Sequence, residues 1–216
     1  MERTIKIITL GPSGVGKTSI INRIVNNDFK TYENNTINFQ FNLKTIDYEK
    51  KNMKLKLNYI DTAGQELYQN ILPKNYIRDS LIVLLVFDNL DNLEILEKRW
   101  YKFYKENANV KESKFILVAN KSDEFGVNRE NIKELGNKFA DKIDAFFITC
   151  SAKSNDNIDN LENIIIKEIK RLIEEEDKEK FKTDDKNTNN SFSTSYSKDK
   201  IILGKTEKKK ACFLCC

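Results

Sequence analysis

The chain predicts an α/β fold: a mostly parallel six-stranded sheet with one antiparallel edge strand and helices on both faces. Three observations carry that reading. A short apolar run at residues 5–10 leads through a glycine-rich turn into a helical stretch. Two segments of period-two alternation flank a short polar link. Three further apolar runs, LIVLLVF, KFILVAN and AFFITC, are each separated from the next by a helical stretch.

Taken in order, residues 5–10 form the first strand, GPSGVGKT the turn, and SIINRIVNN the first helix. Phe39, Phe41, Leu43 and Thr45 alternate with polar residues, and Met53, Leu55, Leu57 and Tyr59 do the same after EKKN. Alternation on both sides of a polar link predicts an antiparallel hairpin. The three later runs are strands buried on both faces, with helices expected at 93–107, 129–139 and 158–173. Sheets of this kind bind ligands outside the carboxyl ends of their strands.

The 216 residues admit one or two domains, and a composition shift near Glu174 favours one domain plus a tail. The boundaries expected are 1–176 for the domain and 177–216 for a flexible tail. After Glu176 the chain is rich in Lys, Asp, Asn, Ser and Thr, a composition too polar to bury a core, so 177–211 reads as a linker. The net charge of +4 sits in 198–216, where six lysines face only Asp199 and Glu207. A neutral folded part with a basic tail argues against a nucleic-acid-binding domain, so no nucleic-acid partner is expected.

The longest apolar run, 81–87, is far shorter than the roughly 20 residues of a bilayer span. The start MERTIKIITL carries no signal-peptide pattern, and Glu2 stands where myristoylation needs Gly, which predicts a cytosolic beginning. Of four cysteines, Cys150 stands alone and Cys212, Cys215 and Cys216 crowd the end. No disulfide framework is expected in that compartment, and the tail thiols lack a fourth ligand for zinc.

Gly11, Gly16, Lys17 and Thr18 fit GxxxxGK[ST], a pattern that gains its meaning from joining a strand to a helix, as here. Its backbone N–H groups wrap an anion, and the helix N-terminus adds its dipole. Lys17 is placed to reach β and γ phosphates, and the Thr18 hydroxyl to bind Mg²⁺. Pro12 removes one N–H, but on the entry side of the loop, where the loss is expected to be tolerated.

Asn120, Lys121 and Asp123 form NKSD directly after a buried strand. A carboxylate there accepts two hydrogen bonds from the N1–H and 2-amino group of guanine, a donor pair that adenine lacks. A plain polar loop is the alternative, made less attractive by the phosphate loop upstream.

With GPSGVGKT, Thr36, DTAGQE, NKSD and TCSAK in this order, residues 4–175 resemble the Ras-like small GTPases, and more particularly the Rab family. The resemblance implies the P-loop small-GTPase fold, with GTP/GDP and Mg²⁺ as ligands. It places nucleotide contacts at Ser13, Gly14, Val15, Gly16, Lys17, Thr18 and Ser19, and an aromatic wall for guanine at Phe29. Asn120, Lys121 and Asp123 join Ser151, Ala152 and Lys153 around the base, with the Ala152 amide meeting guanine O6. Thr18, Thr36 and Asp61 form the Mg²⁺ set, Asp61 through water, while Thr36 and Gly64 hold the γ-phosphate. Gln65 orients the attacking water and, with Lys17, forms the catalytic pair. Phosphoryl transfer needs positioning and charge neutralisation above all. No arginine in these motifs is placed to stabilise transition-state charge, so slow hydrolysis is expected until an activating protein supplies one.

Three departures from the Rab pattern lie where partners bind: Asn38 for Gly, Ile60 for the Trp before DTAGQE, and LY after GQE in place of RF. Phe41 keeps one place of the aromatic triad that effectors read, while Ile60 and Asn75 take the other two. Ile60 either repacks a hydrophobic surface or alters specificity.

The end ACFLCC has Phe213 where a CaaX box needs Cys. The Cys215 and Cys216 pair resembles the doubly geranylgeranylated Rab tail, and two lipids anchor far better than one. Lys205 and Lys208 to Lys210 add attraction to an anionic leaflet. Ile201, Ile202 and Leu203 sit where Rabs engage the prenylation escort protein, unless they are a chance cluster. Cys212 is a further acylation candidate by position alone.

Expected partners are an exchange factor, a GTPase-activating protein, effectors, the escort protein and a GDP dissociation inhibitor, with the chain a monomer. Its expected place is the cytosolic face of endomembranes, in exchange with the cytosol, during vesicle traffic. A nucleotide-dependent membrane scaffold with negligible hydrolysis is the rival reading. A P-loop kinase leaves NKSD, TCSAK and the tail unexplained.

Overall fold

The computed structural model describes residues 1–31, 39–62, 77–108 and 113–192, the side chains of 180–192 excepted. Strand β1 (Glu2–Leu10) is followed by α1 (Lys17–Asn26), then by β2 (Gln40–Tyr48) and β3 (Met53–Asp61). Next come β4 (Ile82–Phe87) and α2 (Leu90–Ile95), which runs through a π-helical segment (Leu96–Tyr101) into α3 (Lys102–Asn107). Strand β5 (Lys114–Ala119), α4 (Arg129–Lys142), β6 (Phe146–Thr149) and α5 (Ile158–Phe192) complete the order.

The six strands lie in the order β2-β3-β1-β4-β5-β6. Only β2 runs antiparallel to its neighbour, which is the edge strand that the hairpin alternation predicts. In the parallel part, Thr9 pairs with Asp61, Leu10 with Leu85, Phe87 with Ala119, and Ala119 with Thr149. The carboxyl ends of these five strands are therefore flush, and the chain leaves all of them along one edge of the sheet.

Strands β4 and β5 are buried on both faces, as their unbroken apolar runs require, whereas β6, expected to be the same, lies at the sheet edge and is only partly buried, with Phe146 exposed. One face packs Ile8, Leu10, Val83, Leu85 and Leu117 against Leu93, Leu96, Trp100 and Tyr104 of the α2–α3 helical stretch and Ile132 and Phe139 of α4. Asn89 starts that stretch by accepting the Asn92 amide, a side-chain cap. The opposite face carries α1 and α5. Lys44 of β2 donates to Ile24 O at 2.8 Å and pairs with Glu162 at 2.5 Å, while Lys170 stands over the Tyr48 ring.

The alternation in β2 holds, but its direction is a surprise. Phe41 is 53% exposed and Leu43 62%, whereas Lys44, Ile46 and Tyr48 turn toward the helices. The stems of lysine and tyrosine cover apolar surface there while their polar ends reach partners. Ile60, across from Phe41, is buried within the core cluster, which makes it a packing residue.

The chain divides into two units, Met1–Arg171 and Leu172–Cys216. The first holds the sheet. In the second, the described residues continue the helix to Phe192, which corrects the expectation of a flexible linker from 177. A composition too polar for a core still suits a helix, because a helix satisfies its own backbone bonds and Glu and Lys are good helix formers. Glu174 and Lys178 also stand four residues apart, the favourable spacing for an acid followed by a base.

Candidate functional site

Where β1 ends, the backbone turns too sharply for most residues. A Cβ on Gly11 would stand 2.2 Å from Val86 O, and Gly14 and Gly16 adopt φ of 79° and 89°. Gly16 caps α1 without a side chain, and the first turn of α1 holds no acidic residue. The helix N-terminus thus presents N–H groups and its positive dipole end to the loop's concavity. Lys17, 5% exposed, donates to Gly11 O and Pro12 O at 2.9 Å each, so its ammonium folds back over the turn. The Pro12 carbonyl is one of the two acceptors.

Thr18 follows on the same helix, and its hydroxyl donates to Asp61 Oδ2 at 2.6 Å. Asp61 ends β3 and is fully buried. Beside it, Thr62 donates to Thr9 O at 2.8 Å. A carboxylate and a hydroxyl held together at the phosphate-binding end are hard oxygen donors, the set that suits Mg²⁺. The glycine cradle fits phosphate for the same steric reason that excludes a Cβ.

Asn120 ties the two ends of the site together. Its Nδ2 donates to Val15 O at 2.9 Å, and its Oδ1 accepts the Ala152 amide at 3.2 Å and the Cys150 thiol at 3.8 Å. Its own amide donates to Phe87 O, which continues the β4–β5 pairing one residue past the strands. Burial pushes the Cys150 thiol up to about 12, so it remains a neutral donor.

Asp123 accepts the Ser151 hydroxyl at 2.6 Å and lies 3.7 Å from the Lys153 ammonium. Lys121, in the left-handed region at φ 60°, donates to Asp88 Oδ2 at 2.7 Å. Asn92 and Asn89 both donate to the other Asp88 oxygen. Asp88 thus fixes the direction of the Lys121 side chain.

These segments enclose a cavity of about 250 Å³. Ser13, Gly14, Gly16, Lys17, Thr18 and Ser19 line its phosphate-loop side. Asn120, Lys121 and Asp123 line another wall with Ala152 and Lys153, and Phe29 stands beside them. Val15 and Ser151 are buried outside the lining and hydrogen-bond to Asn120 and Asp123. Thr36, Gly64 and Gln65 lie outside the described residues, as do Asn38, Asn75, Ile201 to Leu203, and the tail cysteines with Cys215 and Cys216. In this structure the Ala152 amide, expected to face a base, is engaged by Asn120.

Sequence reasoning missed Asp88 and Arg23. Asp88 was findable, since it is the first residue beyond a strand's carboxyl end. Arg23 gives no such signal, because it lies six residues into the helical run with no motif of its own. Its guanidinium donates to Ala152 O at 3.0 Å, to Asn27 O at 3.1 Å and to Lys153 O at 3.4 Å, and stands 5.8 Å from the Phe29 ring centre.

The sequence profile of the Ras family matches residues 6–171. The chain is 34% identical to the Ras-related protein SEC4 of Candida albicans over 161 residues, 74% of each chain. It is 35% identical to the Ras-related protein SEC4 of Saccharomyces cerevisiae over 174 residues, 80% of this chain and 78% of that one. Against the Ras-related protein Rab-13 of Mesocricetus auratus the identity is 33% over 169 residues, 78% of this chain and 81% of its relative.

Proposed function

The chain belongs to the Ras family of small GTPases, in its Rab branch, and from that premise we propose that it is a membrane-cycling timer that hydrolyses GTP slowly. The observation that carries the reading is one cavity with a phosphate cradle on one side and an Asp123 carboxylate on the other, bridged by Asn120. Its lining suits a nucleotide with the phosphates on α1 and the base against Asp123.

In this reading the loop N–H groups and the α1 dipole bind the β-phosphate, and Lys17 swings from Gly11 O and Pro12 O to the β and γ phosphates. Thr18, and Asp61 through water, would hold Mg²⁺, which would supply charge neutralisation to the phosphates. Asp123 accepts from guanine, with Ser151 fixing its second lone-pair direction. Phe29 covers one face of the base. Gln65 orients the attacking water, and Thr36 and Gly64 grip the γ-phosphate, so two loops are held before hydrolysis and released after it.

Trafficking of vesicles follows from the Rab branch. Regulation then falls to an exchange factor, an activating protein, effectors, the escort protein and a GDP dissociation inhibitor. Lipids on Cys215 and Cys216 attach the chain to the cytosolic face of endomembranes. No helix among the described residues is long and apolar enough to cross a membrane.

Single-turnover hydrolysis of bound GTP with Mg²⁺ tests the reading. A rate on the order of 10⁻⁴ per second is expected, and at least tenfold less for Gln65→Leu. Tightly held GTP with no GDP after many hours would instead favour the scaffold.

A further inference from the structure

We propose that Arg23 is a positioning residue that clamps together the two walls of the base subsite and thereby sets the rate of nucleotide release; this rests on the guanine-nucleotide reading above. Phe29, Ala152 and Lys153 line the cavity, whereas Arg23 does not. They come from segments more than a hundred residues apart, and neither segment is part of the sheet. One guanidinium joins them. Its Nε and Nη2 donate to the carbonyls of Ala152 and Lys153 at 3.0 and 3.4 Å. Its Nη1 donates to Asn27 O at 3.1 Å, at the start of the short link that leads to Phe29.

The same cation stands 5.8 Å from the Phe29 ring centre, within reach of a cation–π attraction. Asp28 accepts the Phe29 amide at 2.9 Å, so the aromatic is held from its backbone as well. Only a planar fork serves carbonyls on both walls while facing a ring; a lysine ammonium is a point donor. Arg23 also sits in the last turn of α1, where a cation meets the helix dipole favourably. That contribution alone would support the helix without tying it to release of the nucleotide.

The experiment uses the full chain loaded with ribose-labelled fluorescent GDP and Mg²⁺, chased with excess GDP. Slow release from the native chain is a test of the guanine-nucleotide reading, made before any variant. Arg23→Gln is then expected to speed release about tenfold or more, the effect of losing one charge-assisted hydrogen bond. Arg23→Lys is expected to be faster than native as well. Combined with Phe29→Ala, Arg23→Gln should add much less than its factor in the native background, because both changes break the same clamp. Chelating Mg²⁺ should accelerate native and Arg23→Gln by the same factor, since the metal end is separate.

Release by Arg23→Lys at the native rate would overturn the proposal, and so would independent multiplication of the Arg23→Gln and Phe29→Ala factors. A drop in melting temperature with native release would leave Arg23 as a helix cap and overturn it too. If Arg23→Gln does not fold, the Arg23→Lys comparison decides.

Discussion

Gly16 and Asn120 meet so closely that a Cβ on Gly16 would stand 2.3 Å from Asn120 Nδ2. The contact explains why the last glycine of the loop is fixed by a residue more than a hundred positions away. Gly16→Ala must both hold φ near 89° and push Asn120 off Val15 O. The backbone alone costs about 1–2 kcal/mol. Denaturant unfolding should show at least that loss, with GDP affinity falling in parallel.

Asn120→Ala removes three side-chain bonds at once and leaves Val15 O and the Ala152 amide buried without them. Each buried group left unsatisfied costs about 1–3 kcal/mol. The expected result is faster nucleotide release together with a lower urea midpoint. An unchanged midpoint would show that water replaces the amide at no cost.

Asp123→Asn exchanges a two-acceptor group for one acceptor and one donor. Guanine then loses a partner, while xanthine, with a carbonyl in place of the 2-amino group, gains one. Competition of XDP against GDP should shift toward XDP by at least tenfold. The Ser151 hydroxyl can still donate to the amide oxygen, so the loop is expected to survive the change.

Two buried acids make the fold sensitive to base. Burial raises the Cys150 thiol from 9.0 to about 12, and burial followed by the Glu162 charge raises the Tyr59 phenol above its usual 10.0. In both, the folded chain keeps a proton that the unfolded chain releases, so stability is fully present below pH 9 and falls as pH climbs toward 12. Urea midpoints at pH 7.5 and pH 10 should differ in that sense. Cys150→Ser should lessen the drop.

The sheet was legible because burial leaves two marks in a sequence: unbroken apolar runs for β4 and β5, and alternation for β2 and β3. The phosphate loop was legible for a different reason, since glycine is required wherever a Cβ meets Val86 O or Asn120. Alternation alone could not show which way β2 faces, because Lys44 and Tyr48 bury their stems as well as Phe41 and Leu43 would. The end of α5 was hidden similarly. Polarity reports that a segment lacks a core, which is silent on whether its backbone coils. Arg23 was hidden because its partners are carbonyls, which every residue possesses and no motif records.

Asn120, touching Val15 on one side and Ala152 on the other, also implies that the affinity of the whole nucleotide cannot be apportioned between its fragments. Guanosine alone or pyrophosphate alone fills one half of the cavity, and each must meet the full loss of translational and rotational freedom on binding by itself. Joined, they meet it once. The bond between ribose and phosphate then acts as a chelate link, so an intact nucleotide outbinds a mixture of its parts by far more than their contacts suggest.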